Sequence, residues 1–281
     1  MISKIKTDET EEVTTPGISY YVIEYETPPE PDISDLTIED DTPVDNFQSE
    51  KQQRLLTNCL YDSWSGVDGN SQFLAGANVG VFYSTEKPAL VPDVFLSLDV
   101  TIPDDWEHKK DRSYYTWKFG KAPDVVVEIV SNKVGNELGS KLKNYARMGA
   151  WYYVVFDPLK MLGDSLLEVY ELRASGYQKM TETWLEKVQL GLTLWSGKFE
   201  GKEDVWLRWC DAEGNVIPTG AERAEQEKQE KESALQRAEQ EKQEKESALQ
   251  RAEQEKQEKE SALQKLAELE AKLRDLGIEP D

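Results

Sequence analysis

The sequence predicts a mixed α/β domain, with a central sheet flanked by helices, followed by a long charged C-terminal helix. Three observations carry that expectation. Apolar runs of strand length, bounded by turn residues, recur between residues 73 and 173; a helical pattern is set among them; and a 14-residue repeat fills the end of the chain.

Charge marks the boundaries. Asp and Glu against Lys and Arg number 14 and 2 over residues 1–50, 23 and 19 over 51–220, and 18 and 12 over 221–281, within a formal net charge of -22. The middle is nearly balanced and long enough to bury a core. The expected organisation is an acidic, mostly irregular arm over 1–45, one domain over 46–220, and a charged helical tail over 221–281.

The N-terminal MISKIKTDETEE has no apolar segment, and no run approaches the roughly 18 apolar residues that a membrane span needs. Cys59 and Cys210 stand far apart without CxxC spacing, which fits buried, inert thiols in a reducing compartment. The expectation is a cytoplasmic protein with no membrane association. His108 is the single histidine. Histidine-based triads and Cys/His zinc sites are thereby disfavoured, leaving carboxylates, lysine and water to do any chemistry.

The elements follow in order. Within the arm, ISYYVIEY at 18–25 is the one stretch with much to bury. A first helix is expected from Phe47 to about Leu60, with Asp45 or Asn46 as N-cap and Leu55, Leu56 and Leu60 at helical spacing. FLAGANVGVFYS at 73–84, LVPDVFLSLDV at 90–100 and PDVVVEIVS at 123–131 read as strands. A helix from about Glu137 to Met148 closes at Gly149, and WYYVVFDP at 151–158 and LLEVYELR at 166–173 are further strands. An aromatic-rich segment through Trp184, Trp195, Trp206 and Trp209 completes the core.

RAEQEKQEKESALQ occurs three times, at 223–236, 237–250 and 251–264. With Leu235, Leu249 and Leu263 at heptad position a, Lys242 and Lys256 fall there too, so the seam is weak. Pairs such as Glu227 with Lys231 support a solvated single helix instead. Leu266, Leu269, Leu273 and Leu276 form the stretch with most apolar surface for pairing.

One carboxylate stands out. Along DVVVEIV, Val125, Val127 and Ile129 face one side of the sheet and Val126, Glu128 and Val130 the other. Both faces are apolar, as in a central strand covered on both sides. Glu128 therefore needs a cation, either a structural partner such as arginine or a metal ion. On an ideal helix, Lys141 borders the stripe of Leu138, Leu142 and Tyr145, while Lys143 and Arg147 face away. That lysine can snorkel to solvent or aim its ammonium at Glu128. Asp93 shares a strand face with Phe95 and Ser97 and is either a turn residue or a second acid converging on Glu128. Two such acids would suit Mg²⁺. Asp99 and Asp124 read as turn or cap residues.

LVPDVFLSLDV, PDVVVEIVSN and KLKNYARMGAWYYVVFDP resemble three blocks of the Uma-type endonucleases of cyanobacteria, members of the PD-(D/E)xK nuclease superfamily, and EDDTPVDN resembles their lead-in. The resemblance covers roughly residues 39–220. It implies a restriction-endonuclease-like core that cleaves DNA with Mg²⁺ or Mn²⁺, Asp93 and Glu128 as metal ligands, and Lys141 as the catalytic lysine. Val130 stands where the superfamily pattern puts lysine, so Lys141 must substitute. A further acid on the first helix is usual there, with Asp45 and Glu50 as weak candidates. The rival reading is an inactive binding or scaffold protein that assembles through its tail. A homodimer is open under either.

Overall fold

The computed structural model describes residues 46–131 and 136–275, together with the backbone of a short antiparallel pair, β1 (Thr14–Thr15) and β2 (Ile18–Ser19). Apart from that pair, the expected acidic arm, including Asp45, lies outside the described residues, as does Leu276 in the tail. The chain divides into two compact units, one drawn from residues 1–50 and 72–182 and the other from 51–71 and 183–281. The expected domain over 46–220 contains residues of both.

The first unit is built on a six-stranded mixed sheet in the order β10-β9-β8-β7-β5-β3. Its strands are β3 (Phe73–Ala77), β5 (Val94–Leu98), β7 (Val125–Ile129), β8 (Tyr152–Phe156), β9 (Leu167–Arg173) and β10 (Gly176–Lys179). Every residue of β5, β7 and β8 is buried. Both faces of these strands are covered, which is why VVVEI and YYVVF read as continuous rather than alternating apolar runs.

Neighbours pair antiparallel except β7 and β8, which are parallel. A parallel pair cannot close through a tight hairpin and needs a crossover. Residues 137–148 supply its helical part, ending in α3 (Leu142–Met148), which Gly149 caps at φ 97°. The same unit holds a small parallel pair, β4 (Val81–Phe82) with β6 (Tyr114–Tyr115), and the single turn α2 (Thr116–Phe119).

The second unit contains most of α1 (Phe47–Ser63), where Asn46 Oδ1 accepts from the backbone N–H groups of Gln48 and Ser49 at 2.9 and 3.0 Å as the expected N-cap. It also holds an antiparallel sheet of β11 (Trp184–Leu185), β12 (Leu190–Phe199) and β13 (Lys202–Cys210). Here the aromatic-rich segment is a long hairpin that buries Trp206 and Trp209. Cys59 and Cys210 are free and buried, and burial pushes the Cys59 thiol up to about 12.

The tail forms one helix, α4 (Gly220–Asp275), on which Leu235, Leu249, Leu263, Leu266 and Leu269 are exposed. Thr219 and Glu222 form a capping box at its start: Glu222 N–H donates to Thr219 Oγ1 at 3.3 Å, and Thr219 N–H donates to Glu222 Oε2 at 2.7 Å. Among the described residues no helix is long and apolar enough to cross a membrane.

Candidate acidic centre

Two strands and one helix of the first unit converge on Glu128. β5 and β7 pair with Val94 beside Val127 and Phe95 beside Val126. One further step of the same register sets Asp93 beside Glu128, on the same face of the sheet. Asp93 stands at the mouth of β5, half-buried, and its Oδ2 accepts the backbone N–H of Ile129 at 2.6 Å. The Pro-Asp pair thus ties its carboxylate to the strand that carries Glu128.

Glu128 is 1 % exposed. Its Oε2 accepts from Lys141 Nζ at 2.8 Å, and its Oε1 accepts from the Tyr145 hydroxyl at 2.5 Å. The sequence reading placed Lys141 where it could aim at this carboxylate, and the ammonium does meet it. Lys143 and Arg147 are exposed, as the helical phase required.

The first turn of that helix departs from expectation. Residues Glu137–Lys141 are π-helical, with Lys141 N–H donating to Asn136 O and Leu142 N–H donating to Glu137 O, each five residues back. The wider turn breaks the 3.6-residue phase from which Leu138 was placed on the buried stripe. Leu138 is 42 % exposed, whereas Glu137 is 4 % exposed. The phase recovers further along, where Tyr145 and Met148 are buried.

Glu137 is the residue that sequence reasoning missed. Its Oε1 lies 3.5 Å from Lys141 Nζ, and its Oε2 has no hydrogen-bond partner among the described residues. The available signal was its place four residues before a lysine, the spacing of a helical ion pair. Helical spacing alone assigns Tyr145 to apolar packing, although a buried phenol needs a partner for its hydroxyl. Behind the site, Tyr153 packs at 5.3 Å between ring centroids from Tyr145 and donates to Glu137 O at 3.0 Å.

The electrostatics follow from three carboxylates sharing one ammonium. Burial raises the Glu128 pKa above its ordinary value, against the opposing pull of Lys141 and Tyr145. Burial acts to lower Lys141, but Glu128, Glu137 and Asp93 together outweigh it and raise its pKa, so it remains an ammonium at neutral pH. Burial, reinforced by Glu128, holds Tyr145 well above the phenol range, which keeps it a neutral donor.

The other acids behave differently. Asp124 accepts from Leu98 N–H at 2.8 Å and Lys121 Nζ at 2.6 Å, and Asp99 occupies a left-handed turn position at φ 56°. Asp99 has the turn setting expected of it, whereas Asp124 is buried and ties Lys121 to the end of β5. Glu50 is exposed in the first turn of α1, and Val130 is buried in the apolar core. Asp105, His108 and Asp111 form a separate group whose oxygen and nitrogen atoms lie within 4.8 Å of one another, with Asp105 and His108 exposed and Asp111 ion-paired to Lys118.

The chain is thus a mixed α/β protein with a buried acidic centre on its central strands. The family model described as "Uma2: Putative restriction endonuclease" matches residues 25–195, more than half of the chain and all of that centre, and the chain belongs to this family. Among solved structures it is similar to "a putative nuclease belonging to DUF820 from Anabaena variabilis ATCC 29413", at 16 % identity and a TM-score of 0.34, over 51 % of this chain and 72 % of that one. No curated protein matches.

Proposed function

We propose that the chain is a metal-dependent endonuclease of the PD-(D/E)xK type that hydrolyses phosphodiester bonds of DNA. The observation that carries this reading is the carboxylate of Glu128, buried on a central strand with Asp93 in register beside it and Lys141 Nζ at 2.8 Å. A divalent cation fits the residues present, because Glu128 and Glu137 share one ammonium with Asp93 in register beside Glu128, and one buried carboxylate oxygen, Glu137 Oε2, has no partner among the described residues. Oxygen donors of this kind suit Mg²⁺ or Mn²⁺.

Asp93 and Glu128 would hold the cation. When bound, it supplies Lewis acidity and lowers the pKa of coordinated water. The rest falls to side chains. Tyr145 fixes the orientation of the Glu128 carboxylate, and the Ile129 N–H does the same for Asp93. Lys141, kept charged by its carboxylate neighbours and about a third exposed, reaches from the centre towards solvent. From there its ammonium can donate to the phosphate oxygen that gains charge in the transition state.

The free thiols of Cys59 and Cys210 suit a reducing, cytoplasmic setting. The exposed leucines of α4 offer surface for a second copy. The test is incubation of supercoiled plasmid and single-stranded DNA with Mg²⁺ or Mn²⁺, with Glu128→Ala as control. Nicking or linearisation by the wild type alone is expected. Intact substrate under every condition would favour the rival reading, a binding or scaffold protein on a nuclease fold.

A further inference from the structure

The acidic centre holds more carboxylate than the proposed mechanism uses. Glu137 is buried, with its side chain only 5 % exposed, on a π-helical turn that rotates it inward in place of Leu138. A buried carboxylate oxygen without a donor forfeits its hydration with no compensating hydrogen bond, a loss that is larger when charged. Lys141 cannot offset it fully, since its ammonium is 2.8 Å from Glu128 and only 3.5 Å from Glu137. A protein selected for stability alone would place glutamine or an apolar residue there. π-Helical insertions of this kind are concentrated at functional sites.

We infer that Glu137 is a third carboxylate of the divalent-cation site, aimed at the ion through its unpartnered Oε2, with Lys141 as the counter-ion of Glu128 and Glu137 in the metal-free protein. This rests on the proposed metal-dependent reading and extends it to a residue outside the Asp93, Glu128 and Lys141 set. Asp93 and Glu128 come from paired strands, whereas Glu137 comes from the crossover helix, so the ion would be gripped from the sheet and the helix together.

The experiment is calorimetric titration of Mn²⁺ into the full chain, paired with thermal melts in chelator and in Mn²⁺. Glu137→Gln is expected to weaken Mn²⁺ binding by at least tenfold, on the scale seen when metal-site residues are lost. In chelator it should melt no lower than the wild type, because it removes an uncompensated charge, and it should lose most of the Mn²⁺-induced rise. Glu137→Asp, which keeps the charge, should recover part of the affinity, and the exposed Glu182→Gln should leave it unchanged. A Glu137 that only supports the fold would instead melt lower as glutamine, with Mn²⁺ affinity intact. That result overturns the inference.

The two proposals fail separately. If Glu128→Gln abolishes Mn²⁺ binding and Glu137→Gln does not, the inference falls while the nuclease reading stands. If Mn²⁺ binding depends on Glu137 but no DNA is cut, the site stands and the nuclease reading falls. A wild type that takes up no Mn²⁺ at millimolar concentration overturns both.

Discussion

Replacing Lys141 and Lys143 separately by alanine tests the centre most directly, because the two lysines lie two residues apart and differ in where they point. Lys141 Nζ sits 2.8 Å from Glu128, while Lys143 is exposed. Removing a donor that acts on transition-state charge lowers turnover by about 10²-fold or more, equivalent to about 2.7 kcal/mol. Lys143→Ala should cost only a modest, salt-dependent loss of DNA affinity. Lys141→Ala also strips Glu128 and Glu137 of their ammonium. Breaking a buried pair costs about 3–5 kcal/mol, which falls to about 1–3 here because a third of the lysine side chain is in water. The assay is therefore single-turnover plasmid cleavage in saturating Mg²⁺ at a temperature where circular dichroism shows both variants folded. Equal losses, or a larger one from Lys143→Ala, would refute the assigned geometry.

Three further outcomes are expected. Tyr145→Phe removes the hydroxyl that donates to Glu128 at 2.5 Å and should lower unfolding free energy by about 1.5–3 kcal/mol in urea; an unchanged midpoint would mean that the bond contributes nothing. Glu200, held down to about 2 by hydrogen bonds from Arg54 and then Lys51, contributes stability above the ordinary carboxylate pKa that is lost as pH falls from about 4.5 towards 2. Arg54→Ala should move its NMR titration back up, and an unmoved titration would show that Arg54 is not the cause. Deleting residues 223–281 retains Glu222, so the core should keep its melting temperature. Deleting from Thr219 removes the carboxylate paired with the buried Arg208 at 2.7 Å and should cost the second unit about 2–4 kcal/mol. Equal melting temperatures for the two truncations would remove Glu222 from that role.

The central strands were legible because their burial is written in composition. VVVEI and YYVVF lie within the expected strands, and alternation along DVVVEIV correctly put Glu128 with Val126 and Val130. The N-cap at Asn46 and the stop at Gly149 were legible through local chemistry, a side-chain acceptor and a left-handed backbone. What failed was phase. A 3.6-residue period cannot announce a π-helical turn, so it puts Leu138 on the buried stripe where the structure puts Glu137. The partition into two units was also illegible, since the segment 51–71 joins residues far along the chain, and such pairing leaves no mark on local pattern.

The choice first posed at Glu128, between a structural ion pair and a metal ligand, turns on a comparison with the other buried or half-buried charges of the same chain. Asp124 is matched by Lys121 and the buried Arg208 by Glu222, one charge to one. Such pairs are what a fold uses to tolerate a buried ion, and each is close to neutral as a group. At Glu128 the count among the described residues is different, because Glu128 and Glu137 both meet Lys141, whose charge Asp93 also favours. Structural pairing explains Lys141 against one carboxylate but gives no reason for a second one beside it. The divalent cation proposed above would account for these carboxylates together, because oxygen donors gathered from two strands and a helix suit such an ion.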